Sequence, residues 1–139
     1  YFLWEHSLDY DHGTGHGVGV FSNVHQGPQG ISRLNTVPLN PGMILSVEPG
    51  VYLEGKLGIR LENLVYVKKK SGNSRQKREF LEFETLTLVP FEKKLIEKDL
   101  LSRDELHWLN SYHDNVYNKL SPFLNVSEKT WLRDACRIL

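Results

Sequence analysis

Three histidines, His12, His16 and His25, fall within fourteen positions of a chain that has six in all. Two of them lie in Asp9-Tyr-Asp-His-Gly-Thr-Gly-His-Gly-Val-Gly19, where every second residue from Gly13 onward is glycine. A helical H-x-x-x-H can hold zinc, but the glutamate of H-E-x-x-H is missing and the glycines oppose any helix. A nucleotide loop is excluded as well: G-x-G-x-x-G is not matched, no Gly-Lys-Ser/Thr occurs, and no amphipathic helix follows. In extended backbone side chains alternate with period two, so His12 and His16 can look the same way. The glycines between them let backbone or substrate approach closely. A hydrogen-bonded loop residue is the simpler reading for any one histidine. Three so close together weaken it.

Two carboxylates stand out by context. Glu48 ends the apolar run Ile44-Leu-Ser-Val-Glu-Pro-Gly50, where a buried charge needs a partner. Glu62 lies in Gly58-Ile-Arg-Leu-Glu-Asn-Leu-Val65, with Arg60 and Glu62 on one face and Ile59, Leu61 and Val65 on the other. Two arrangements fit this pattern. Arg60 can form an ion pair with Glu48 or Glu62 at a strand edge, or His16, Glu48 and Glu62 can converge on a metal. A mixed imidazole and carboxylate set suits manganese, cobalt or zinc rather than copper(I) or iron–sulfur chemistry. Spacing alone leaves both open.

The elements that position these residues are strands first and helices later. The first residues, Tyr1 to Leu8, read as the end of a helix that begins upstream. The turn Leu39-Asn-Pro-Gly42 precedes a strand over 42–48, and further strands are expected over 58–67 and 80–89. Between the last two lies Lys68-Lys-Lys-Ser-Gly-Asn-Ser-Arg-Gln-Lys-Arg78, with six basic residues and no acidic one. Ser-Gly-Asn-Ser at its centre is turn chemistry, and no aromatic is interleaved for base stacking, so a solvated hairpin loop is favoured over a nucleic-acid contact. From Ser102 a capping box, Ser102-Arg-Asp-Glu105, opens a helix with the stripe Leu106, Leu109, Val116, Tyr117 and Leu120. Pro122 ends it, and Ser127 is expected to cap a last helix carrying Trp131, Leu132, Ala135 and Ile138.

The net charge of zero supplies no field toward nucleic acid or an anionic membrane, and no apolar run approaches a membrane span. A single cysteine, Cys136, excludes a disulfide framework and fits a reducing cytoplasm. The chain starts Tyr-Phe-Leu-Trp without methionine or signal-peptide features, and is expected to be a piece of a larger protein.

Four motifs in order settle the choice that spacing leaves open: H-G-T-G-H-G-V-G, N-V-H-x-G-P, P-L-x-P-G-M-I-x-S-x-E-P-G-x-Y and G-I-R-L-E-N. Together they strongly resemble aminopeptidase P, the Xaa-Pro aminopeptidases of the pita-bread metallopeptidase superfamily. The likeness runs from Asp9 to at least Val67 and continues through Phe80–Phe91 into a tail with Leu-Asn-Ser-Tyr-His113.

The resemblance implies an α+β fold, the C-terminal half of a pita-bread (creatinase/aminopeptidase-like) domain: a mostly antiparallel curved sheet with flanking helices over 1–90. A short helical extension follows over 91–139. It implies hydrolysis of the bond between an N-terminal residue and a penultimate proline, using two divalent ions, manganese first with cobalt or zinc as alternatives. His16, Glu48 and Glu62 would be metal ligands, with Glu48 also shuttling the proton. His12 would line the proline pocket, and His25 would bind the substrate backbone beside the scissile bond, counting with Glu48 among the catalytic residues. Arg60 would support the site electrostatically and Tyr52 would shape it.

Two aspartates and a further histidine complete the family's site upstream of H-G-T-G-H, and Asp9 and Asp11 do not match that aspartate motif. The chain is therefore expected to carry three of five ligands and to be inactive alone. Expected partners are peptides with penultimate proline and a second copy in a homodimer, with no nucleic acid and no membrane. Prolidase, and a pita-bread module that only binds other proteins, are the alternatives.

Overall fold

Leu45, Val65 and Val67 form the buried centre of the first of two units, Tyr1–Thr87 and Leu88–Leu139. The computed structural model describes residues 1–71 and 79–139. The first unit opens with a four-residue helix, α1 (Phe2–Glu5). Seven strands follow: β1 (Gly15–His16), β2 (Gly30–Ile31), β3 (Ile44–Val47), β4 (Gly50–Leu53), β5 (Leu57–Arg60), β6 (Asn63–Lys69) and β7 (Leu81–Thr85).

They form three antiparallel sheets, β1-β2, β3-β6-β7 and β4-β5. Alternation along β6 explains its central place. Val65 and Val67 point into the core, while Tyr66 and Lys68 lie opposite Glu84 and Glu82 of β7. Lys68 Nζ reaches Glu84 at 2.8 Å and Glu82 at 3.4 Å. Part of the basic run Lys68–Arg78 is thus paired across the sheet, and Lys69 joins Glu79 at 2.8 Å. The hairpin loop expected at the centre of that run falls on residues 72–78, outside the described residues.

Two strand expectations need correction. The segment 58–67 is not one strand but two, β5 and β6, in different sheets and separated by Leu61 and Glu62. At the break Leu61 N–H still donates to the Pro49 carbonyl at 3.2 Å, one step beyond the Gly50–Arg60 pair. The two halves keep one register, with Val47 opposite Asn63 and Gly50 opposite Arg60, and the ladder is interrupted where Pro49, opposite Leu61, has no N–H to donate. The last strand also stops at Thr85 rather than at Val89.

In the second unit, Ser102 and Glu105 form the expected capping box at the start of α2 (Arg103–Leu120). The buried face of α2 is Leu109, Tyr112, His113 and Val116, so it includes two polar-tipped residues that the apolar stripe left out. A second correction concerns α3 (Val126–Ala135), whose N-cap is Asn125, not Ser127. The Asn125 side chain accepts from Glu128 N–H at 3.0 Å and Glu128 accepts from Asn125 N–H at 2.8 Å. Ser127 donates its hydroxyl to Asn125 instead. Asn-x-x-Glu is itself a capping-box sequence, one that starts two residues before Ser127. Leu132 and Cys136 of this segment are buried, whereas Trp131 and Ile138 are exposed.

Tyr112 and His113 hold the segment that precedes α2. The Tyr112 hydroxyl donates to the Val89 carbonyl at 2.7 Å, and His113 Nε2 accepts from Phe91 N–H at 3.1 Å. An Nε2 that accepts must carry no proton, so the neutral ring bears its hydrogen on Nδ1. That Nδ1 is buried and, among the described residues, has no hydrogen-bond partner. Burial, with the Lys93 charge adding, pushes the His113 pKa below its ordinary 6.5. Below about 6.5 the unfolded chain therefore binds a proton that the folded ring refuses. We expect stability to be full above that pH and to fall as pH drops toward the lowered folded value. Replacing His113 by Gln, whose side-chain oxygen accepts without titrating, should flatten the slope of melting temperature against pH between about 7 and 5. An unchanged slope would show that His113 does not control it.

Candidate metal centre

β1 reaches β3 with almost no side chain between them. Glu48 N–H donates to the Thr14 carbonyl at 2.7 Å, His16 N–H donates to Ser46 Oγ at 3.0 Å, and Gly17 bridges Leu45. A Cβ on Gly15 would collide with the Ser46 carbonyl oxygen, and one on Gly17 with the carbonyl oxygen of Gln26. Glycine is required at Gly15 by the approach to β3 and at Gly17 by the approach of the Gln26–Gln29 segment. The alternating glycines thus seat His16 against the strand that ends in Glu48.

Glu48 closes β3 and is 7% exposed, His16 is half-buried, and Glu62 sits exposed in the break between β5 and β6. One donor atom from each of His16, Glu48 and Glu62 lies within 4.8 Å of the others. His16 Nδ1 faces the Gly17 carbonyl at 3.0 Å, and a carbonyl only accepts, so Nδ1 carries a hydrogen. In the neutral ring Nε2 then has only its lone pair, and it faces Glu48 Oε1 at 3.0 Å. Two acceptors at that distance need a cation between them, either a proton or a metal. The donor chemistry therefore fits a hard or borderline divalent ion, with Glu62 offering a further oxygen at the same place.

The carboxylate of Glu48 is held on both oxygens. Ser46 Oγ donates to Oε1 at 3.1 Å, and Arg60 Nη1 lies 3.3 Å from Oε2. The ion pair and the three-donor cluster, alternatives on spacing alone, therefore coexist.

His12 and His16 reach different partners. His12 Nδ1 is 2.7 Å from the Gly13 carbonyl, and its Nε2 is 2.7 Å from the Tyr52 hydroxyl. By the same tautomer argument Tyr52 donates to His12, while its oxygen accepts from Arg60 Nε at 2.9 Å. The Tyr52 hydroxyl, with the charges of Glu48 and Glu62 adding, raises the Arg60 pKa above its ordinary range. A polar chain thus runs from Glu48 through Arg60 and Tyr52 to His12. The His25 ring lies against His16, with centroids 4.1 Å apart. Ser46 was missed by the sequence reading. The signal was available, since period two puts Ser46 and Glu48 on the same side of the strand.

Against this geometry, the metallopeptidase family M24 profile matches residues 1–69, and that of the C-terminal region of peptidase_M24 matches residues 79–139. The chain belongs to metallopeptidase family M24. Its relatives include the probable Xaa-Pro aminopeptidase P of Arthroderma gypseum, 50% identical over 137 residues, covering 94% of this chain and 22% of that protein. The probable Xaa-Pro aminopeptidase P of Botryotinia fuckeliana is 49% identical over 137 residues, covering 94% of this chain and 21% of that protein. The chain thus spans about a fifth of the length of the curated relatives it matches.

The fold is that of the X-prolyl aminopeptidase from Caenorhabditis elegans, described as a cytosolic enzyme with a di-nuclear active site. The TM-score is 0.90 at 39% identity, covering 99% of this chain and 23% of that one. The architecture is accordingly the C-terminal part of a pita-bread fold with a helical tail. The two M24 matches meet around residues 70–78, yet β7 pairs with β6 in the first unit, so the sequence division precedes the structural one at Thr87.

The contact at Gly15 supplies a test of this arrangement. Gly15→Ala should push β1 off β3 at a cost of about 1–3 kcal/mol or more, read by denaturant unfolding. A near-neutral effect would mean that the strands are free to separate there.

Proposed function

We infer that this chain carries part of the active site of a dinuclear Xaa-Pro aminopeptidase, with peptides bearing a penultimate proline as substrates. The observation that carries the reading is the meeting of His16, Glu48 and Glu62, with two of their donors arranged so that a cation must lie between them. His16 would hold metal through Nε2, and Glu48 and Glu62 through their carboxylates.

Two divalent ions, manganese first with cobalt or zinc as alternatives, would polarise the scissile carbonyl and make water nucleophilic at neutral pH. The chain's own residues do the rest. Glu48, fixed by Ser46 and Arg60, receives a proton at its carboxylate as water attacks and delivers it to the proline nitrogen. That delivery matters because the imide nitrogen of Xaa-Pro leaves poorly without a proton. His25, stacked on His16, is placed to hold the substrate backbone beside the scissile bond. His12, oriented by Tyr52, would form a wall of the proline pocket, and Arg60 balances the carboxylate charge.

Three donors are too few for two ions, so the remaining ligands, expected to be two aspartates, are proposed to come from outside these 139 residues. The C. elegans structure is described as that of a cytosolic enzyme, and among the described residues no helix is long and apolar enough to cross a membrane. The first supports a cytoplasmic home for the full-length protein. A homodimer is proposed on family likeness.

Two outcomes are expected. In the full-length protein, Glu48→Gln should abolish turnover of a proline-containing tripeptide while circular dichroism stays unchanged; an undiminished rate would remove Glu48 from proton transfer. The 139-residue chain alone should hold less than stoichiometric metal by elemental analysis and show negligible Xaa-Pro cleavage. Two tightly bound ions with turnover would overturn the shared site. Cleavage confined to dipeptides would favour prolidase, and tight metal-free protein binding would favour the non-catalytic module.

A further inference from the structure

Ser46 is 0% exposed and lies between two residues proposed above as metal ligands, in β3 beside His16 of β1 and two residues before Glu48, which follows the end of β3. Its oxygen accepts from the backbone N–H of His16 at 3.0 Å, so its single hydrogen is free to go to Glu48 Oε1 at 3.1 Å. One hydroxyl thus spans β1 and β3. It binds the backbone that carries the imidazole and the side chain of the carboxylate. Arg60 holds the other oxygen of that carboxylate, but Arg60 is largely exposed on the β4-β5 hairpin, whereas Ser46 is part of the core sheet.

We propose that Ser46 is a positioning residue for the metal centre, fixing the mutual placement of His16 Nε2 and the Glu48 carboxylate. This rests on the reading that His16 and Glu48 bind metal. The hydroxyl does two jobs that no apolar residue of the same size can do. It satisfies an amide that the close approach of β1 turns toward β3, and it selects one rotation of the carboxylate by donating to Oε1. Without it the amide loses this acceptor and the carboxylate keeps only Arg60, on its other oxygen, as a hydrogen-bond donor to orient it. Groups that orient ligands in this way typically change metal affinity about 10- to 100-fold when removed.

The test uses the full-length protein with manganese as the probe. Ser46→Ala is compared with Ser46→Thr, which restores a hydroxyl, and with Val47→Ala, which loosens the same strand without touching the donors. Metal affinity by titration calorimetry and melting temperature of the metal-free protein are both measured. The expected result is a loss of affinity of about 10- to 100-fold in Ser46→Ala, partly restored in Ser46→Thr. Val47→Ala should stay within about twofold of the parent even where its melting temperature falls as far. Unchanged affinity in Ser46→Ala, or an equal loss in Val47→Ala, overturns the positioning role. His16→Ala separates the two levels. If it abolishes binding while Ser46→Ala does not, only the role of Ser46 falls; if it leaves binding intact, the ligand reading falls and the proposal with it.

Discussion

Everything in the first unit depends on how closely β1 lies against β3. The two strands meet through Thr14 and Glu48, through His16 and Ser46, and through the bridge between Gly17 and Leu45. That approach leaves no room for a side chain at Gly15. It also fixes where His16 can go, because backbone held at both flanking positions allows its side chain little travel. The imidazole then meets the carboxylate at the end of β3. Leu45, one residue before Ser46, faces the opposite way into the core with Val65 and Val67, so packing on one face of β3 holds the chemistry on the other.

Glu62 is delivered differently. It lies neither in β5 nor in β6 but in the two-residue break between their sheets. In the register that puts Val47 opposite Asn63 and Gly50 opposite Arg60, Glu62 stands opposite Glu48 and on the same face as Arg60, so it reaches the same point as His16 and Glu48. The strand expected over 58–67 missed the break because hydrophobic alternation continues almost unbroken from Ile59 to Val67. Periodicity records which side chains are apolar. It does not record where the backbone ladder is interrupted, here at Glu48–Pro49 opposite Leu61–Glu62, where Pro49 has no N–H to give.

The same distinction explains what could be read elsewhere. The donors were visible in the sequence because they are chemically unusual where they stand: an imidazole among glycines, and a carboxylate at the end of an apolar run. Ser46 is chemically ordinary, and its importance comes from an oxygen shared by two strands some thirty residues apart in sequence. His113 was hidden for a similar reason. A histidine inside an amphipathic helix resembles a surface residue until the segment packed on it is known to offer an N–H. The cap of α3 is a different kind of miss. Asn125 and Glu128 make the motif locally, and Ser127 drew attention only because serine is a good cap at most other places.

Charge balance links the pieces. Glu48 and Glu62 bring two negative charges to one small volume, and Arg60 offers a single positive charge against them, itself partly engaged with Tyr52. Arg60 holds Oε2 of Glu48, whereas Oε1 faces the Nε2 lone pair of His16. Arg60 offsets one of the two charges, so a proton would balance the rest, but a proton joins only the imidazole and one carboxylate. A divalent ion would instead offer all three donors one common centre. The polar chain from Glu48 to His12 then follows from the same demand: each group that holds the carboxylate is itself held, ending at the Gly13 carbonyl, which needs no further partner.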